Sequence, residues 1–248
     1  MGDSLTVGQP HATPASGLFV CLEGIDGAGK TTAAHSAVEA LRERGLPAVL
    51  FDKRLTEFGS DYVRRHAGDL RQLIWGHPPD DPYLELGDMH WVYLQAAWYS
   101  AVAHCFVHPL LQAGQLVVTD TWIHKFLAKL AMRPAVDLVA ASAVFDGLPR
   151  PDLVIRLDLL VETAAHRKTV FGISESGNRE GRVPLTRDTF VGYQRRLAAV
   201  LDQWGTRDGW HVLDVNGLGP DSVAQGVADR VENLAAAPAR ANAGMGGG

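Results

Sequence analysis

Three glycines, a lysine and two threonines are packed into residues 24 to 32, GIDGAGKTT, between an apolar run and an amphipathic stretch. A loop so poor in side chains offers backbone N–H groups instead, and glycine lets those groups turn inward and approach an anion closely. The spacing Gly24-x4-Gly29-Lys30-Thr31 fits G-x-x-x-x-G-K-[ST], in which loop amides and a helix N-terminus hold polyphosphate oxygens. It assigns Gly24, Asp26, Gly27, Ala28, Gly29, Lys30, Thr31 and Thr32 to ATP, with Lys30 reaching the β and γ phosphates and Thr31 holding Mg²⁺. A second magnesium-side group belongs at the end of another core strand, and Asp120 in QLVVTD supplies it. Asp158 ends DLVIRLD in the same way, but a helical pattern follows at once, so it reads as a helix N-cap.

A second chemical segment is HRKTVFGISESGNREGRVPLTRD, residues 166–188, which carries Arg167, Lys168, Arg179, Arg182 and Arg187 among three glycines. Transfer of a phosphoryl group needs positive charge around the moving group and exclusion of water, and a mobile basic flap provides both. Without the loop upstream, the same run would read as a solvated charged loop.

These residues need a frame. Five short apolar runs predict strands: LFVCLE (18–23), PAVLFD (47–52), QLVVTD (115–120), DLVIRLD (152–158) and WHVLDV (210–215). Their apolarity is continuous rather than alternating, which suits a parallel sheet covered on both faces. Helical periodicity occupies 32–44, ended by Gly45, and also 88–112, 159–170 and 187–204. Strand and helix alternate throughout, so the class is α/β with a doubly wound five-stranded parallel sheet. The folded body is expected over 17–235, with the basic lid at about 166–188; residues 1–16 and 236–248, rich in Gly, Ala and Pro, read as disordered tails.

Composition narrows the class further. With 248 residues, 46% hydrophobic, the chain is long enough for one large domain with a buried core. A net charge of −5 argues against general nucleic-acid or acidic-membrane binding, so an anionic ligand must meet a local cluster of bases. No apolar run reaches the roughly 18 residues of a membrane span, and the N-terminus lacks a signal-peptide order. Cys21 and Cys105 sit in apolar surroundings without metal-ligand spacing, so both read as buried, reduced thiols of a cytoplasmic protein.

Taken together, FVCLEGIDGAGKTT, HPLLQAGQLVVTD, RPDLVIRLDLLVETAAHR and TFVGYQRRL resemble corresponding segments of the thymidylate kinase family over roughly residues 17–225. The resemblance implies a P-loop fold of the nucleoside monophosphate kinase type, ATP, Mg²⁺, a lid and a homodimer. It further implies that the catalytic arginine comes from the lid, because Ala28 occupies the loop position where other members carry arginine; Arg179 is the first candidate. Arg167 matches a family arginine near the phosphates, and Asp26 matches a loop acid that approaches the acceptor sugar. Lys30, Asp120, Arg167 and Arg179 make up the expected catalytic set.

Acceptor recognition departs from the family. The segment whose phenylalanine stacks on thymine and whose arginine bonds the base aligns with Leu94–Tyr99, which puts Gln95 and Tyr99 at those two positions. The arginine that binds the acceptor phosphate becomes Thr121, and the Asn and Tyr further on fall at Phe126 and Lys129. Arg54, Lys125, Lys129 and His124 are chemically useful neighbours, and Trp91, Tyr93, Trp98 and Tyr99 are candidates for the pocket wall. The acceptor is therefore an anion, either a nucleoside monophosphate or another metabolite carrying phosphate, phosphonate or carboxylate, with dTMP turnover in doubt. The alternative is a nucleotide-binding regulator that has lost transfer.

Overall fold

The computed structural model describes residues 17–53, 58–76, 78, 81–177 and 183–243, of which 237–243 as backbone only. Five strands form, β1 (Leu18–Glu23), β2 (Ala48–Phe51), β3 (Leu116–Thr119), β4 (Leu153–Asp158) and β5 (His211–Asp214), each within one residue of the expected bounds. They make one all-parallel sheet in the order β2-β3-β1-β4-β5, which places β1 at the centre. Successive side chains of a strand point to opposite faces. Val20 and Leu22 of β1 accordingly join a core with Val118, Ile155 and Leu157, while Phe19 and Cys21 join a second core with Val117 and Val154. Both faces are apolar because both are covered, which is why the strands read as unbroken apolar runs.

Helix α1 (Lys30–Glu43) covers the first face with α9 (Pro220–Ala243); Ala33, Ala34 and Ala37 of α1 lie in the same core as Val223, Val227, Ala228 and Val231 of α9. Gly45, at φ +80°, ends α1 as expected: Leu46 N–H bonds the carbonyl of Leu41 at 3.0 Å and Gly45 N–H that of Arg42 at 2.9 Å. The second face carries α2 (Asp61–Trp75), α3 (Asp88–Val102), α4 (His108–Gln112), α5 (His124–Ala131) and α6 (Leu138–Ala143). The expected single helix over 88–112 is widened at Ala103–Val107 into a π turn between α3 and α4. Pro109 has no N–H to offer the carbonyl of Cys105, and the widened turn accommodates the loss. Cys105 in that turn is exposed, contrary to the expectation of burial; Cys21 is buried and free.

The chain closes with α7 (Val161–His166) and α8 (Arg187–Asp208), the latter stopped by Gly209 at φ +68°. Asp158 does not cap α7. Its carboxylate pairs with Arg156, and Asn216 Oδ1 accepts from Leu160 N–H at 2.9 Å instead, because Asn216 leaves β5 beside the start of α7. Helix α9 runs past residue 235, where the body was expected to end; its alanine-rich run at 235–237 continues the helix. The expected tail at 1–16 and the last part, 244–248, of the tail expected at 236–248 lie outside the described residues, as do Arg54, Arg179 and Arg182. No helix among the described residues is long and apolar enough to cross a membrane.

Candidate active site

The loop after β1 delivers its residues at the carboxyl end of the central strand, where open α/β sheets bind ligands. Gly24, Gly27 and Gly29 adopt φ +143°, +89° and +88°. A Cβ on Gly24 would lie 2.8 Å from the carbonyl oxygen of Leu157, so that glycine is required by close approach to β4. Around Gly29 the space is open, and the loop ends in the N-terminus of α1, which no side chain among the described residues caps. A helix N-terminus beside open space is a cradle for anionic oxygens.

Lys30 is buried and donates to the carbonyls of Gly24 and Ile25 at 2.9 and 2.7 Å. Burial, with repulsion from Lys125, lowers its ammonium to about 7, against the pull of Asp26, Glu23 and Asp120. Thr31 Oγ1 donates to Asp120 Oδ2 at 2.5 Å, joining the start of α1 to the end of β3. A hydroxyl and a carboxylate are hard oxygen donors of the kind Mg²⁺ takes, and both line the cavity in front of the loop.

That cavity has a volume of about 540 Å³, the size of a small-molecule site. Four of the five lysines in the chain line it: Lys30, Lys53, Lys125 and Lys129. With Arg133 they outnumber Asp26, Asp120 and Glu175 on the same wall, so the cavity suits an anion although the chain is acidic overall. Lys125 and Lys129 are four residues apart on α5 and therefore share one helix face. Both reach Asp26, at 2.7 and 3.3 Å. Burial works against the Asp26 carboxylate, but Lys125, Lys129 and Lys30 outweigh it and hold it well below the usual range; Asp26 in turn raises Lys125 despite its burial.

Gln194 completes this cluster from α8. Fully buried, it accepts from Asp26 N–H at 2.9 Å and donates to Asp26 Oδ2 at 3.1 Å and to the carbonyl of Glu175 at 2.8 Å. Lys129 also donates to the carbonyl of Ser174 at 2.6 Å, so the described start of the basic segment is tied to the loop and to α5. Gln95 and Tyr99 of α3 and Thr121 after β3 line the cavity as expected. The Tyr99 hydroxyl is committed to the carbonyl of Trp122 at 3.0 Å.

Other expectations fail or fall outside. Arg167, at the end of α7, is exposed and does not line the cavity, because the short helix delivers it on its solvent side. Trp98 is core, Trp91 is buried with its ring stacked on Tyr83, and Tyr93 is exposed, so of the four aromatics only Tyr99 reaches the wall. Arg179 and Arg54 lie outside the described residues. Sequence reasoning missed Lys53, Trp75, Tyr83, Arg133, Tyr193 and Gln194. For Gln194 a signal existed: a polar residue on the buried stripe that runs through Phe190, Tyr193, Leu197 and Leu201.

The thymidylate kinase family model matches residues 22–182. The chain is 27% identical over 200 residues to the thymidylate kinase of Danio rerio, covering 80% of this chain and 82% of that protein. Over 212 residues it is 27% identical to the thymidylate kinase of Jannaschia sp. strain CCS1, covering 84% and 92%. A probable thymidylate kinase of Pyrococcus abyssi is 31% identical over 157 residues, 63% of this chain and 72% of that one.

Proposed function

The chain belongs to the thymidylate kinase family, and from that premise we propose that it moves the γ-phosphate of ATP to an anionic acceptor held by lysines. It is a P-loop phosphotransferase and an ATP-dependent nucleotide kinase by family. The observation that carries the finer reading is the cavity in which the loop lysine Lys30, the Thr31–Asp120 pair and the Lys125–Asp26–Lys129 cluster face one space.

In this reading, the loop amides and Lys30 grip the β and γ phosphates. Thr31 and Asp120 would hold Mg²⁺, which supplies charge neutralisation at the phosphates when bound. Lys125 and Lys129 turn from Asp26 to the anionic group of the acceptor, and Asp26, kept ionised, orients an acceptor hydroxyl. An acceptor oxygen then bonds to the γ phosphorus while the bond from that phosphorus to the β–γ bridging oxygen breaks, leaving ADP. Ionised phosphate needs no base to become the nucleophile. The segment from about 166 to 188 acts as the lid and brings Arg179 to the transferring group. Membership also carries the expectation of a homodimer, which the exposed Leu84, Leu86 and Tyr93 around the start of α3 support.

We infer further that dTMP is a poor acceptor. The phosphate-binding arginine of the family is Thr121 here, the base-bonding arginine is Tyr99 with its hydroxyl already engaged, and two lysines cannot reproduce the planar fork of an arginine. The test is ADP release with dTMP, other nucleoside monophosphates and non-nucleotide phosphates, phosphonates and carboxylates. Turnover of another anion above dTMP supports the reading, and dTMP as the best acceptor contradicts it. Bound ATP without ADP from any acceptor would mark a silent nucleotide-binding regulator.

A further inference from the structure

Behind the acceptor side of the cavity lies a cluster the transfer reaction does not use. Cys21 and Glu23 of β1 and His124 at the start of α5 bring Sγ, a carboxylate oxygen and an imidazole nitrogen within 4.8 Å of one another. Glu23 is fully buried, yet its contacts are long: Thr121 Oγ1 and Trp122 N–H lie 3.4 Å from Oε1, and Cys21 Sγ lies 3.7 Å away. Among the described residues its Oε2 has no hydrogen-bond partner, and neither does the buried His124 Nδ1, although that atom is 3.4 Å from Oε1. Of the three ligand atoms, His124 Nδ1 is thus left without a hydrogen bond among the described residues, and Glu23 keeps its second oxygen, Oε2, without one.

The spacings have a geometric meaning. Zinc bonds sulfur at about 2.3 Å and nitrogen or oxygen at about 2.0–2.2 Å, so the edges of a tetrahedral site are about 3.3–3.5 Å for N···O and about 3.5–3.7 Å for S···O. The observed separations of 3.4 Å for His124 Nδ1 to Glu23 Oε1 and 3.7 Å for Cys21 Sγ to the same oxygen fall on those edges. We propose that Cys21, Glu23 and His124 form a binding site for a thiophilic divalent cation of the zinc class. Three protein ligands leave the fourth position of a tetrahedral zinc site to a water or another small ligand. The ligand charges balance: thiolate and carboxylate against a dication. A metal ligand must be the thiolate, so binding the cation releases the Cys21 thiol proton. A soft thiolate ligand also separates this site from the oxygen-only Thr31–Asp120 site, which suits magnesium.

The test uses the full chain, stripped with chelator and then dialysed against zinc in excess Mg²⁺, with bound metal measured by atomic emission. About one retained zinc per chain is expected, and His124→Ala and Cys21→Ser should each lower zinc affinity at least about tenfold. Substitution with Co²⁺ should give a thiolate charge-transfer band that Cys21→Ser abolishes, and this reading in the parent chain does not depend on either variant folding. Lys30→Ala should keep its zinc, so the result stands apart from the nucleotide reading. No retained zinc, retention unchanged in both ligand variants, or cobalt bound without a thiolate band would each overturn the proposal.

Discussion

At the scale of the residue, Lys30 is where burial and charge meet chemistry. In the free protein its ammonium sits among loop carbonyls with a proton affinity lowered to about 7, chiefly by burial. Triphosphate oxygens favour the charged form and return it toward the ordinary lysine range. Above pH 7 the free lysine is increasingly neutral and the bound one is charged, so ATP binding takes up a proton; below pH 7 both are charged and no uptake occurs. Calorimetry of ATP binding in buffers of different ionisation enthalpy should therefore report uptake approaching about one proton at pH 8, falling toward zero at pH 6, and Lys30→Met should remove the pH dependence. Lys125 belongs to the acceptor instead. Charge-assisted hydrogen bonds are worth about 1.5–3 kcal/mol, so Lys125→Ala should lower kcat/KM for the acceptor by about 10- to 100-fold, while ATP affinity measured by titration changes little.

At the scale of the element, helices place these charges by period and by cap. The first turn of α1 presents Lys30 and Thr31, α5 presents Lys125 and Lys129 on one face, and α8 reaches across with Gln194. Replacing Gln194 with Leu would strand the buried N–H of Asp26 and the carbonyl of Glu175 together. We expect a loss of about 1–3 kcal/mol in urea unfolding and faster proteolysis within residues 172–188. Much of this was legible beforehand: the strands, α1 and its glycine stop, and Asp120 followed from apolar runs and a loop pattern that depend on local sequence. The break at Ala103–Val107 was written in Pro109, but periodicity alone read through it. Helices α2, α5, α6 and α9 were not read; α5 and α6, eight and six residues long, are too short for a helical period to stand out. Arg167 and Trp91 show the other limit: their places depend on which way a short helix faces and on a ring stacked from Tyr83, neither of which spacing encodes.

At the scale of the whole molecule, a central strand sandwiched between two cores carries the loop, and the second core carries the cationic wall opposite it. The arrangement concentrates lysines in an acidic chain at one place, where a donor and an acceptor that are both anions can approach each other only if their repulsion is cancelled. The assignment rests on the donor site being a triphosphate cradle. Equilibrium dialysis of labelled ATP with Mg²⁺ against the full chain and Lys30→Ala tests this most directly. The account predicts about one ATP per chain, displaced by ADP, and binding weakened at least about tenfold in Lys30→Ala with an unchanged unfolding midpoint; no retained ATP, or equal retention by both proteins, would contradict it.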